Sequence, residues 1–235
     1  MPRPFKPVLG AIAAACTMMV AVPASAYTIF EDLPTNASLQ ISHHTTGGPI
    51  LVDDFAPAAQ GKITTVEWWG TATRDNRWEL AFHTNNNGEP NVDNPLSGAL
   101  VKFGEDGLLT ATGVQDVAGH PELFHYSATV SGPVVSAGTE YWFTVANFSD
   151  GWTWADALNG PTVGAENFNA HTSVGSICLD GGPHCGAWTD VHTDFAFRIN
   201  AVPEPSTYAL TGMSLLMLAL WRRRQAADRR QDRSD

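Results

Sequence analysis

In this chain, apolar residues recur at every second position in segment after segment. In "RWELAFHT", Trp78, Leu80 and Phe82 alternate with Glu79, Ala81 and His83. In "TEYWFTVANF", Tyr141, Phe143 and Val145 alternate with Trp142, Thr144 and Ala146, and "TDFAFRIN" sets Phe195, Phe197 and Ile199 on one side. A period of two belongs to a strand, whose successive side chains point to opposite faces. Between residues 27 and 200 no stretch carries a long 3.6-residue apolar period, and Gly, Asn, Asp and Pro recur at turn spacing. The pattern predicts an all-β fold, an antiparallel β-sandwich of the jelly-roll type, with one face of each sheet on the core and the other in water. A β-barrel is the alternative. Further strands are expected over residues 50–55 and 63–69. In the second of these, Ile63, Thr65, Glu67 and Trp69 share one face, opposite Thr64, Val66 and Trp68.

The two ends of the chain read differently. Arg3 and Lys6 precede an apolar run from Val8 to Val22, and Ala24-Ser25-Ala26 follows as an A-x-A site. That order predicts a secretory signal peptide over residues 1–26, cut before Tyr27, with Sec-type export machinery and signal peptidase as partners. At the other end Tyr208–Trp221 is apolar and about 21 Å long as a helix, against the roughly twenty residues of a typical span. Ser206 and Thr207 extend it, and the arginines that follow favour the side of synthesis. The reading is a short C-terminal transmembrane helix.

The string "VPEPS", then this apolar segment, then "RRR" resembles the PEP-CTERM sorting signal of Gram-negative bacteria. The resemblance covers about the last thirty residues. It implies that Pro203, Glu204 and Pro205, with Arg222, Arg223 and Arg224, are recognised by an exosortase and take no part in catalysis. It also implies transient anchoring in the inner membrane before processing, and a final place in the cell envelope, on the cell surface or in the extracellular matrix. Two prolines deny the motif a helical backbone and keep it extended. A looser resemblance joins "LVDDFAPAAQGKITTVEWWG", "ELAFHTNNNGEP", "TEYWFTVAN" and "DFAFRI" to a recurrent ectodomain of exported bacterial proteins. It supports the sandwich and implies no activity. The expected organisation is a signal peptide over 1–26 and a sandwich over 27–200. The motif, span and arginine run then occupy 201–225, and a polar cytoplasmic tail 226–235.

Between residues 27 and 200 there are twenty Asp and Glu against five Lys and Arg. The whole-chain charge of −11 understates this, because most basic residues lie at the two ends. So acidic a body argues against nucleic acid and anionic lipid as partners, suits solubility and leaves divalent cation binding open. Cys178 and Cys185 bracket "LDGGPH", and in an exported chain they read as a disulfide. A metal site using His184 and Cys185 is the rival, although C-x6-C is not a usual zinc spacing.

Five sets of residues are candidates for chemistry. Asn87, Glu89, Asp93 and Asn94 give the loop "HTNNNGEPNVDN" enough oxygen for calcium, without an EF-hand pattern. Asp190 and Asp194 are a second calcium candidate, and Asn and Gly making turns is the plain alternative. Asp53 and Asp54 are adjacent on a strand, so they face opposite ways and form no pair by themselves. Trp152 and Trp154 share a side of "NFSDGWTWADALNGP" and suit sugar stacking if exposed. Glu67, Glu79 and Glu140 are the carboxylates from which a glycosidase pair would have to come, and such a pair stands about 5–9 Å apart across a cleft. The histidines form no metal-binding motif, and no G-x-S-x-G or phosphate loop occurs.

These observations lead to a non-catalytic exported surface or extracellular-matrix protein, processed through its Pro-Glu-Pro signal and needing no cofactor. The alternatives are a carbohydrate-binding module for exopolysaccharide and a matrix glycoside hydrolase. A binding module should expose a flat aromatic platform. A hydrolase should show a cleft with paired acids, one with a raised pKa.

Overall fold

A computed structural model describes residues 25–35, 39–42, 49–75, 77–95, 101–103, 122–149, 151–157, 159–174 and 188–203, together with Ser214, Met217, Leu218, Trp221 and Arg222. Among these residues there are two sheets, and every strand pairing is antiparallel. In chain order the strands are β1 (Tyr27–Asp32), β2 (Leu39–Ile41), β3 (Pro49–Phe55), β4 (Gly61–Thr71), β5 (Trp78–Asn86), β6 (Glu89–Pro95), β7 (Val101–Phe103) and β8 (Leu123–Thr129). They continue as β9 (Val134–Val135), β10 (Tyr141–Asn147), β11 (Thr153–Ala157), β12 (His171–Val174), β13 (Thr189–Asp190), β14 (Asp194–Phe195) and β15 (Phe197–Val202). The first sheet runs β1-β15-β4-β11-β14, with β2 on β11 and with β8 and β9 on β4. The second runs β13-β12-β3-β10-β5-β6, with β7 on β5. The chain crosses from one sheet to the other repeatedly, so neighbours within a sheet are distant in sequence.

Rings fill the space between the sheets. Trp68, Trp78 and Trp152 meet edge to face, with centroids 5.0 Å and 4.8 Å apart. Phe30, Phe55, Phe82, Phe143 and Phe197 form a second group, in which Phe30 stacks on Phe197 at 4.6 Å. Burying one such ring contributes about 1.5–3 kcal/mol. Gly70 lets the two sides of the first sheet close up, since a Cβ there would stand 2.5 Å from the Trp152 ring.

Two bulges change which side chains face this core. The β4–β15 register shifts between Asn200 and Ala201, and Ile63 joins Val66 and Trp68 inside. The alternation had placed it on the opposite face, and one extra residue in a strand reverses that assignment. A shift between Thr28 and Phe30 buries Ile29 and Phe30 together in the same way.

The expectation that each sheet shows one face to water is corrected for the second sheet. Leu51, Phe55, Leu80, Phe82, Phe143 and Val145 point into the core. On the other face Val52, Asp54, Ala81, His83, Trp142, Thr144 and Ala146 are buried as well. Trp188 packs over Ile50, Ala81 and Ala146 there. Burial on this face pushes His83 down to about 4.

The expected C-terminal transmembrane helix is also corrected. Ser214, Met217, Leu218, Trp221 and Arg222 are helical and exposed, but among the described residues no helix is long and apolar enough to cross a membrane. The physical reason is length, because fourteen residues rising about 1.5 Å each fall short of a hydrocarbon core about 30 Å thick. The membrane contact before processing and the cellular location argued from transient inner-membrane anchoring lose their basis with it. Cys178 and Cys185 lie outside the described residues, which include no cysteine and therefore no disulfide.

Candidate functional site

Residues 159–170 have no regular structure, yet they are pinned across one end of both sheets. The N–H groups of Thr162 and Val163 donate to the Glu31 carbonyl, and the Glu31 N–H donates to Val163 O at 2.9 Å. Ala56 and Ala165 exchange two backbone hydrogen bonds. Gly164, at φ 88°, passes so close to β3 that a Cβ would stand 2.8 Å from Ala56 O. Asp54 completes the attachment, its Oδ2 accepting from Asn167 N at 2.9 Å and its Oδ1 from Phe168 N at 3.2 Å.

This segment, the β5–β6 turn and the Asp190–Asp194 stretch enclose a cleft of about 730 Å³. Glu89, Glu166, Asp190 and Asp194 supply carboxylates to its wall, and Asn87, Asn167 and Asn169 supply amides. Phe168 is 38% exposed at the cleft and lies over the buried Trp142 at 6.0 Å, with planes 21° apart. His171 meets Trp142 edge-on at 4.9 Å and donates from Nδ1 to Asn169 O. The turn is held by Asn85 Oδ1, which accepts from Gly88 N and from Trp142 Nε1. Asn87 takes φ 57° and Gly88 φ 89°, the tight geometry that an Asn-Gly hairpin turn requires. The carboxyl of Asp190 accepts from Asn169 Nδ2 at 3.0 Å and from His192 N, and these bonds lower its pKa.

Glu166 and Asp194 of the cleft wall belong, with the buried Asp32, Asp53 and Asp54, to a group of carboxyls from separate elements whose pKa values are raised. Burial, with Asp194 beside it, pushes Asp32 up to about 7. Burial and the Glu140 carboxyl push Asp54 up to about 9. Glu166 is pushed up to about 10 by burial and by the charges of Asp32 and Asp194. Asp53 points inward between the sheets, where its Oδ2 accepts from Phe195 N across to the first sheet. Burial, then Glu166 and Asp194, raise its pKa as well. Asp194 is raised by burial, with Asp190 and Asp156 adding to it. Among the described residues none of these five carboxyls forms an ion pair.

The structure brings the two calcium candidates together, since Asn87, Glu89, Asp190 and Asp194 line one cleft. Asp93 and Asn94 belong to β6, but their side chains lie outside the described residues. Asp53 and Asp54 do face opposite ways, one into the core and the other onto the 159–170 segment. Trp152 and Trp154 form no sugar platform. Both are fully buried, Trp154 stacked on Phe195 at 4.8 Å with its Nε1 donating to Ala196 O. Trp152 just precedes β11 and Trp154 belongs to it, and both rings face the core. The glycosidase candidates are scattered. Glu67 is held on the first sheet by His125, Arg198 and Asn200, Glu79 is buried on β5, and Glu140 is bonded to Asn167. Pro203 follows β15 directly, and Arg222 is exposed. Glu204, Pro205, Arg223 and Arg224 lie outside the described residues.

Sequence reasoning missed Asp32, Glu166 and Phe168. Asp32 ends "YTIFED" and Glu166 sits in "GAENFN", and neither string carries a motif. Their proximity comes from the bridges of Glu31 to Val163 and of Ala56 to Ala165. Comparison with family models, with curated proteins and with solved structures found no match.

Proposed function

We propose that the protein is a non-catalytic carbohydrate-binding module and that this cleft receives the glycan. The observation that carries the reading is Phe168, an exposed ring set over Trp142 and flanked by amide and carboxylate side chains. A ring face takes the C–H face of a sugar, and the surrounding amides and acids take its hydroxyls. The acidic wall favours a neutral chain over an anionic one.

The test is binding of the full chain to a panel of neutral and acidic polysaccharides, beside Phe168→Ala. The full chain should bind a neutral glycan, and the substitution should weaken binding about tenfold or more, the scale of about 1.4 kcal/mol. The melting temperature should change little, because the ring is partly exposed. Failure of the full chain to bind any member of the panel overturns the reading.

A second reading concerns the ends and is supported by strand positions. β1 begins at Tyr27 and pairs with β15, which ends at Val202, with Tyr27 opposite Ala201. Loss of residues 1–26 and a cut after Pro203 would therefore leave every described strand whole. That suits processing through the Pro-Glu-Pro motif. The intact mass of the protein recovered from its native cells tests it, and a chain still carrying residues 222–235 would overturn it.

A further inference from the structure

We propose that Asn159 is a self-modifying site at the rim of the cleft, where the backbone nitrogen of Gly160 closes on the Asn159 side chain and turns its amide into an acid. Asn-Gly occurs twice in the chain, at Asn87-Gly88 and at Asn159-Gly160, and both glycines line the cleft. The reaction favours this dipeptide because glycine has no Cβ to shield the attacking nitrogen. Gly160 N attacks Cγ of Asn159, the Cγ–Nδ2 bond breaks, and ammonia leaves with the proton of the Gly160 N–H. The product is a cyclic succinimide. Water then opens the ring at either carbonyl and gives aspartate or isoaspartate. No oxidant, metal or enzyme is needed.

The two sites share a dipeptide and differ in what surrounds it. Gly88 N donates to Asn85 Oδ1 at 2.9 Å, so attack there must first break that bond. Gly88 is buried, and a Cβ built on it would stand 3.1 Å from the Phe168 ring. The hairpin turn also holds Asn87 at φ 57°. Asn159, in contrast, is exposed. Nothing lies within 4 Å of where a Cβ on Gly160 would stand, and among the described residues no group accepts a backbone hydrogen bond from Gly160 N. The nearest backbone anchors among the described residues stand to either side, at Ala157 on β14 and at Thr162 and Val163 on Glu31. Asn159 and Gly160 are therefore free to reach the geometry of attack. Conversion adds a carboxylate beside a wall that already carries Glu166, Asp190 and Asp194, and isoaspartate also lengthens the main chain ahead of the Glu31 anchor. Any effect of this on glycan binding rests on the reading above, and the conversion itself does not.

The experiment incubates the freshly purified full chain in mildly alkaline buffer and follows its peptides by mass over time. Asn159 should convert about tenfold faster than Asn87 or more, a barrier difference of about 1.4 kcal/mol. Isoaspartate should be the larger product, and the rate should rise in proportion to hydroxide. In guanidinium chloride the two sites should converge, because the fold is what separates them. Asn85→Ala releases Gly88 N and should speed conversion of Asn87 while leaving the rate at Asn159 unchanged. Equal rates at the two sites in the folded chain, or a faster Asn87, overturn the proposal. So does an Asn159 that stays intact in the folded chain for as long as guanidinium chloride takes to convert it. A failure of glycan binding leaves the proposal standing.

Discussion

Replacing Asp32 with Asn should stabilise the protein in alkaline, cation-free buffer. The carboxyl is 1% exposed, and burial together with Asp194 raises it from 3.8 to about 7. An acid whose folded pKa lies above its unfolded value holds its proton more tightly in the folded state. Its contribution is complete below the unfolded value and is lost as pH rises through the folded one. One pH unit corresponds to about 1.4 kcal/mol, so the whole interval is worth up to about 4 kcal/mol, of which roughly 3 disappears between about pH 4.5 and pH 8. Asn reproduces the shape of the protonated acid and has no charge to bury. Denaturant unfolding of the full chain in EDTA at those two pH values measures the difference. The two proteins should nearly coincide in acid, and Asp32→Asn should lead by about 2–3 kcal/mol at the higher pH. A lead for the unsubstituted protein at the higher pH would refute the argument. So would an equal gap at both, since a packing effect does not titrate.

Two further substitutions test other parts of the fold. Gly70→Ala should destabilise by at least about 1–3 kcal/mol in the same unfolding assay, because the new Cβ meets the rigid Trp152 ring. Glu67→Gln should act with the opposite pH sign to Asp32→Asn. The His125 hydrogen bond, and then Arg198, lower the pKa of Glu67. Its contribution is therefore present above the unfolded value and is lost as pH falls through the folded one, so the substitution should cost about 1–3 kcal/mol near neutrality and little in strong acid.

The faces of the regular strands were legible from alternation. Trp78, Leu80 and Phe82 share the core side of β5, as Phe195, Phe197 and Ile199 share the core side of the last two strands. Ile63 was not legible, because a bulge is a property of the pair β4–β15 and leaves no mark in the hydrophobic pattern of β4 alone. Trp152 and Trp154 show a second limit. A period of two gives a common side but not its direction, and polar neighbours suggested the outside. The outer face of the second sheet was hidden for a related reason, since His83 and Thr144 read as solvated but are buried. The cleft was half visible. Asn87, Glu89, Asp190 and Asp194 were each chosen for their oxygens, but only the fold puts them on one wall. Asp32 and Glu166 could not be paired from the sequence, since their segments meet only through two backbone bridges between residues distant in the chain.

The buried carboxyls set the conditions under which this fold stands. Asp32, Asp53, Glu166 and Asp194 all have raised pKa values, with burial the first cause for each. Each therefore holds its proton more tightly in the folded state, and its contribution is present below the unfolded value and lost as pH rises through the folded one. The charges of these groups raise one another, so their losses are shared and do not add as independent amounts. Glu166 is pushed up to about 10, so its share is still being lost well above neutrality. Glu166→Gln removes that share and should lose less stability than the unsubstituted chain between about pH 8 and pH 10 in denaturant unfolding. Parallel curves over that range would mean that Glu166 is ionised in the folded protein at lower pH and that its surroundings already solvate the charge.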